Sequence, residues 1–206
     1  MKEGIFAYWP NRITMMRFVG SFVLFLVLDL GGMKALDEVG RGVFQWAFWL
    51  FIVVAFSDAL DGYLARRGNL VTNFGRIADP FVDKVLVIGS MVYLAVMPWS
   101  QGWFPAWIVV VVVAREFLVT GIRGYVESQG MEFAADGFGK LKMVFQCVAI
   151  GTVLGQYAFP WPEPFLNFLN LMVHLLVWAT LLTTVGSGTS YILKTKRMLA
   201  EGASAA

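Results

Sequence analysis

The sequence contains very few of the residues that usually supply nucleophiles and soft metal ligands. Its 206 residues include one cysteine, Cys147, and one histidine, His174. A single cysteine excludes an intrachain disulfide and any metal site built from several thiolates. Both residues lie in apolar runs, where we expect them to pack between helices. Any acid–base chemistry must therefore come mainly from carboxylates.

Charged residues are also scarce. They make up 15% of the chain, whereas 58% of the residues are hydrophobic and the mean hydropathy is +0.68. An ordinary soluble domain carries about a quarter charged residues. The composition therefore predicts an all-α integral membrane protein with a single domain over residues 1–206. With a net charge of only +2, no nucleic-acid partner is expected.

Apolar runs separated by turn residues predict six transmembrane helices after a short N-terminal interfacial helix. The interfacial helix covers residues 1–12 and is expected to end at Pro10-Asn11. Asp79 and Pro80 are expected to cap and start the third span. Residues 198–206, rich in small side chains, predict a disordered tail. The six spans are expected at about 14–30, 43–66, 79–97, 105–127, 138–157 and 165–193.

The distribution of basic residues predicts how the chain is oriented in the membrane. Six spans place both termini on the same side. Every lysine and arginine except Lys34 and Arg41 falls on that side or on the helix halves next to it. Because basic residues accumulate in cytoplasmic loops, both termini are expected at the cytoplasmic face.

The most informative stretch contains four aspartates between apolar flanks. It reads D-x-x-D-G-x-x-A-R, eight further residues, and G-x-x-x-D-x-x-x-D. On helices, Asp58 and Asp61 share one face, and so do Asp79 and Asp83. A charge inside a bilayer costs roughly 2.5–3.5 kcal/mol, so such carboxylates are candidates for function. Two facing pairs would repel without cations between them, and hard oxygen ligands suit Mg²⁺ or Mn²⁺.

A metal-loaded carboxylate cluster at the membrane boundary suits a polyanionic lipid headgroup such as a diphosphate. An incoming alcohol would need a base, and Asp83 is the candidate because it lies one turn into the third helix. Gly62 would let a phosphate approach the backbone, and Gly75 would serve the bend between the two aspartate pairs. The motif from Asp58 to Asp83 contains no serine, cysteine or histidine, which favours direct attack over a covalent intermediate.

This motif resembles the signature of the CDP-alcohol phosphotransferase family at every position. The resemblance implies a six-helix membrane enzyme, usually a homodimer, in which a hydroxyl attacks the β-phosphate of a CDP-linked lipid and displaces CMP. It implies two Mg²⁺ or Mn²⁺ ions held by Asp58, Asp61, Asp79 and Asp83, with Asp83 also the catalytic base. It further implies a CDP-lipid site formed by Asn11, Thr14, Asp58, Gly62, Ala65, Arg66 and Gly75.

Further segments, over roughly residues 8–150, are similar to bacterial family members of the cytoplasmic (inner) membrane that join CDP-diacylglycerol to sn-glycerol 3-phosphate. They read P-N-x-x-T-x-x-R from Pro10, A-R-E from Ala114 and G-K-x-K from Gly139. The last predicted helix carries no segment specific to this resemblance. Converging arginines and lysines would bind a phosphomonoester dianion. The acceptor phosphate site is therefore expected at Arg115, Arg123, Lys140 and Lys142.

Three other interpretations remain open at this point. The same chemistry could use another acceptor: inositol phosphate, serine or phosphatidylglycerol. Membrane prenyl transferases also use aspartate-rich diphosphate sites, but they lack the G-x-x-A-R bridge found here. An ion channel or metal transporter is disfavoured because all four aspartates lie near one membrane face. No role is assigned to residues 133–137.

Overall fold

The computed structural model describes residues 8–32, 40–67, 73–130 and 137–204, and this part of the chain contains helices and turns but no strand. The all-α prediction is confirmed for these residues. The helices are α1 (Trp9–Gly32), α2 (Arg41–Arg67), α3 (Asn73–Val96), α4 (Ala106–Ser128), α5 (Gly137–Ala158) and α6 (Glu163–Ser204).

Three segments of the described helices are long and apolar enough to cross a bilayer: Asn11–Gly31, Leu141–Ala158 and Glu163–Met198. Large apolar side chains also point outward, for example Leu30, Phe117 and Leu182, each at least 70% exposed. Exposed apolar surface of this extent indicates contact with lipid rather than water. The chain is a membrane-associated helical protein.

Each of the described helices packs against at least two others. Helix α1 contacts α2 and α3, α5 contacts α2 and α6, and α4 contacts α3 and α6. Small residues allow close approach at two of these contacts. The ring of Phe25 on α1 fills the space that a Cβ atom at Gly89 on α3 would need, and Gly155 on α5 faces the ring of Phe48 on α2.

The start of α3 differs from the prediction. The sequence placed Asp79 and Pro80 at the first turn, but α3 begins at Asn73 and contains Pro80 in its interior. Proline inside a helix removes one backbone hydrogen bond. Asp79 therefore does not cap the helix; instead its carboxylate accepts a hydrogen bond from another helix.

Both ends of the chain also differ from the prediction. Residues 1–7 of the expected interfacial helix lie outside the described residues, but Trp9 and Pro10 form the first turn of α1 instead of ending a separate helix. Proline is compatible with a first helical turn because the amide it lacks has no partner there. At the other end, α6 continues through residues 198–204, so the predicted disordered tail is wrong for that stretch.

Candidate active site

Helix α1 holds both carboxylates of α3. Asp79 and Asp83 lie one turn apart, so they share a face. Thr14 Oγ1 donates a hydrogen bond of 2.6 Å to Asp79 Oδ1, and Arg17 forms an ion pair with Asp83 Oδ1. Thr14 and Arg17 are each only 2% exposed. The polar start of α1 therefore fixes the orientation of the two α3 aspartates.

The other half of the motif lies in the last turns of α2. The backbone of Asp58, Asp61, Gly62, Ala65 and Arg66 is helical there, and their side chains lie outside the described part of the structure. Among the side chains that are described, no group of three or more acidic, histidine or cysteine residues could hold a metal ion. The four-aspartate cluster accordingly remains a prediction.

Two further residues expected at the CDP-lipid site, Asn11 and Gly75, are buried. Asn11 is 2% exposed on the first turns of α1, and Gly75 is buried on the first turn of α3. Because α1 packs on α3, both lie at the same end of the bundle as Asp79. Their part in a CDP-lipid site stays a prediction.

A second polar group is centred on Glu116 of α4. Its Oε1 atom accepts a hydrogen bond of 2.9 Å from Arg115 Nη1 and forms an ion pair with Lys142 of α5. Side chains of all three residues are close to 90% buried or more. Buried charges are stable only when they are paired. One carboxylate thus organises two of the cations that the sequence assigned to the acceptor phosphate.

The third cation, Arg123, is held by the last helix. Its Nη2 atom donates a hydrogen bond of 3.0 Å to the hydroxyl of Tyr191 on α6. The guanidinium carbons of Arg115 and Arg123 lie 5.6 and 6.0 Å from the centroid of the Tyr191 ring. The structure therefore brings Arg115, Arg123 and Lys142 together. Lys140 lies on the first turn of α5, and its side chain is outside the described residues.

We call Arg115, Glu116, Arg123 and Lys142 the α4 cluster. Lys84 connects this cluster to the aspartates. Its Nζ atom donates a hydrogen bond of 2.8 Å to Thr120 Oγ1 on α4. Lys84 directly follows Asp83 in the sequence. No role was predicted for Lys84, although its position next to Asp83 was a usable signal.

An apolar groove opens on the outer side of α1 and α3. Its volume is about 290 Å³, and neighbours of both aspartates line it, since Ala78 precedes Asp79 and Val82 precedes Asp83. The groove thus runs along the same helix that carries the carboxylates. Its other lining residues are Met15, Phe18, Ile77 and Phe81.

Comparison with known proteins identifies the family. The model of the CDP-alcohol phosphatidyltransferase family matches residues 7–186. The chain belongs to the CDP-alcohol phosphatidyltransferase family. Within this family, it is similar to three bacterial proteins over about nine-tenths of its length.

The CDP-diacylglycerol–glycerol-3-phosphate 3-phosphatidyltransferase of Bacillus subtilis is 34% identical over 190 residues, covering 90% of this chain and 93% of that protein. A probable phosphatidylglycerophosphate synthase of Mycobacterium tuberculosis is 32% identical, covering 91% of this chain and 81% of its own length. The Rickettsia bellii protein with the same name as the Bacillus one is 30% identical, with 91% and 95% coverage. The family resemblance expected from the aspartate motif is confirmed.

Proposed function

We propose that this enzyme transfers the phosphatidyl group of CDP-diacylglycerol to sn-glycerol 3-phosphate, releasing phosphatidylglycerophosphate and CMP. The single observation that carries the proposal is the α4 cluster at the same end of the bundle as Asp79 and Asp83. The cluster contains three cations and one carboxylate, of which Arg115 and Lys142 pair with Glu116, so two net positive charges remain. Two positive charges match the dianion of a phosphomonoester. The names of the relatives support the same acceptor.

The arginines retain donors that a phosphate group can use. Within the described part of the chain, the Nε atoms of Arg115 and Arg123 are buried and have no hydrogen-bond partner. A buried donor without a partner is costly, so a bound anion that accepts from it is favoured. Guanidinium groups also match phosphate oxygens geometrically better than an ammonium group does. These two arginines are therefore proposed as the main phosphate ligands, with Lys142, Lys140 and Lys84 adding positive charge.

The proposed reaction is a direct displacement. The acceptor hydroxyl forms a new bond to the β-phosphorus of CDP-diacylglycerol, the bond between that phosphorus and the CMP oxygen breaks, and the hydroxyl proton passes to Asp83. A carboxylate within reach of the hydroxyl is a suitable base. Asn11, Gly62, Ala65, Arg66 and Gly75 would surround the CDP moiety.

The donor set agrees with a hard divalent metal, because Asp79 and Asp83 present carboxylate oxygens on one face of α3. Asp58 and Asp61 at the end of α2 would complete the set for two Mg²⁺ or Mn²⁺ ions. Bound ions would neutralise the diphosphate and stabilise the leaving CMP. In the protein itself, Thr14 and Arg17 hold the two α3 carboxylates in place. Activity should be lost in EDTA and restored by Mg²⁺ or Mn²⁺, and activity that persists in EDTA would contradict the metal assignment.

The membrane setting completes the proposal. All six helices would cross the bacterial cytoplasmic membrane, with both termini and the site on the cytoplasmic side. One acyl chain of the donor would lie in the groove between α1 and α3, because the groove is apolar and residues next to the two aspartates in sequence line it. A homodimer is proposed on the family resemblance, and its mass in detergent micelles can be measured directly.

The test is product analysis with the purified chain, CDP-diacylglycerol and Mg²⁺. Glycerol 3-phosphate, inositol 1-phosphate and serine are offered in separate reactions, since an inositol phosphate would use the same basic group. CMP release together with phosphatidylglycerophosphate, in the first reaction only, is expected. Release only with inositol phosphate or serine would overturn the acceptor while leaving the family chemistry in place.

A further inference from the structure

Helix α6 contributes one aromatic side chain, Tyr191, to the surroundings of the α4 cluster. Tyr191 is 4% exposed, its hydroxyl accepts a hydrogen bond from Arg123, and both arginines of the cluster lie within about 6 Å of its ring centroid. Tyr191 therefore contacts both proposed phosphate ligands at once.

Two neighbouring guanidinium groups repel each other, so their spacing must be held by other groups. The face of an aromatic ring attracts cations that lie within about 6 Å of its centroid. A tyrosine ring is also rigid and, when buried, keeps its hydroxyl at a fixed place. The ring and hydroxyl of Tyr191 together define where Arg115 and Arg123 lie relative to one another.

Gly188, one turn before Tyr191 on the same face of α6, supports this arrangement independently. A Cβ atom at Gly188 would lie 3.3 Å from Cγ of Arg115, which is closer than ordinary van der Waals contact. The missing side chain leaves room for the stem of Arg115 beside α6. Gly188 and Tyr191 of α6 therefore both accommodate Arg115.

We propose that Tyr191 is a positioning residue for the acceptor phosphate, which it serves by holding Arg115 and Arg123 at the spacing of one phosphomonoester. The inference rests on the proposed function, since it assumes an acceptor that carries a phosphate. It assigns α6 a part in substrate selection that the sequence did not indicate. Gly188 supports the same arrangement, because its missing side chain leaves the space through which Arg115 reaches the ring of Tyr191.

Two substitutions of Tyr191 separate the roles of the hydroxyl and the ring. Tyr191→Phe keeps the ring, and we expect the KM for glycerol 3-phosphate to rise about threefold to tenfold, the scale of one ordinary net hydrogen bond, because the hydroxyl acts on the phosphate only through Arg123. Tyr191→Leu removes the ring as well and should raise that KM further. The KM for CDP-diacylglycerol and kcat should change less than about twofold, because neither involves these arginines. Leu193→Ala, at an exposed site on the same helix, should change none of them.

A glycine pair gives a second test with a matched control. Gly188→Ala should displace Arg115 and raise the acceptor KM, whereas Gly186→Ala should not, because a Cβ atom there meets nothing within 4 Å. Both changes raise helix propensity equally, so the difference between them reports the contact with Arg115.

The outcomes separate this inference from the proposed function. Product analysis of the unmodified enzyme tests the proposed function. The inference is tested by dividing the acceptor KM of each variant by that of the parent enzyme, with whichever phosphorylated acceptor the parent uses. An unchanged acceptor KM in Tyr191→Leu would overturn the inference. Equal increases of both KM values together with a lower melting temperature would also overturn it, because they indicate a purely structural role.

Discussion

Arg17 of α1 forms an ion pair with Asp83 of α3 across 66 positions of sequence. Arg17 is almost completely buried, whereas the side chain of Asp83 is 21% exposed. The proposed base therefore has one side fixed by a buried cation, and its partial exposure leaves room for contact with a substrate or metal ion. This pair links the start of α1 to the proposed base.

Replacing Arg17 should weaken both the fold and the reaction. In Arg17→Gln, Asp83 loses a charged hydrogen bond, which should lower the free energy of unfolding by about 1.5–3 kcal/mol. Denaturant titration in detergent micelles measures this loss. In a double-mutant cycle with Asp83→Asn, the two changes should be less than additive. Full additivity would contradict a direct interaction between the two side chains.

Asp83→Asn should abolish turnover and largely preserve binding of CDP-diacylglycerol. The amide cannot take the proton of the acceptor hydroxyl, but it retains the shape of the side chain. Turnover is measured as CMP release, and binding by titration with the labelled lipid. Asp29→Asn, at an exposed position near the other end of α1, is the matched control and should stay active. If Asp83→Asn lost binding and turnover equally, Asp83 would be a metal ligand rather than the base.

Glu116→Gln should be among the most destabilising changes in α4. Glutamine leaves Arg115 and Lys142 as buried cations without their shared anion, and removing one partner of a buried pair costs about 3–5 kcal/mol. The same denaturant titration measures the effect. Glu127→Gln removes an equal charge from an exposed position of the same helix and should change stability by less than about 0.5 kcal/mol. Similar losses in both variants would show that net charge, rather than pairing, sets the effect.

Gly89→Ala should destabilise the contact between α1 and α3. The added methyl group would overlap the ring of Phe25, and overpacking of this kind costs about 1–3 kcal/mol. The control is Gly121→Ala on α4, where a Cβ atom meets nothing within 4 Å. Thermal unfolding in detergent compares the two. A Gly89 variant as stable as the Gly121 variant would show that Phe25 moves aside without cost.

The sequence predicted the existence and order of the helices well because hydropathy and turn residues are local signals. The expected spans near 105–127 and 138–157 agree with α4 and α5 to within about two residues. The start of α3 was wrong because Pro80 is tolerated inside a helix whose neighbours contribute packing. The end of α6 was wrong because small residues such as those after Arg197 are compatible with helix as well as with coil.

Within the candidate site, spacing on one helix was predictable, whereas contacts between helices were not. The spacing of Glu116, Thr120 and Arg123 at i, i+4 and i+7 places them on nearly one face of α4, and each has a partner on another helix. Those partners were not readable from the sequence. Tyr191 in particular lies in a mostly apolar helix, where an aromatic residue carries no sign of its neighbours.

The most direct test of the central claim compares an acceptor that carries a phosphate with one that does not. The kcat/KM for glycerol 3-phosphate relative to glycerol is measured for the parent enzyme, for Arg123→Ala and for Arg197→Ala, an exposed control. The account predicts that Arg123→Ala raises the KM for glycerol 3-phosphate about tenfold or more and lowers the preference for it by the same factor. The control should retain the full preference. An unchanged preference in Arg123→Ala would contradict the claim that the α4 cluster binds the acceptor phosphate.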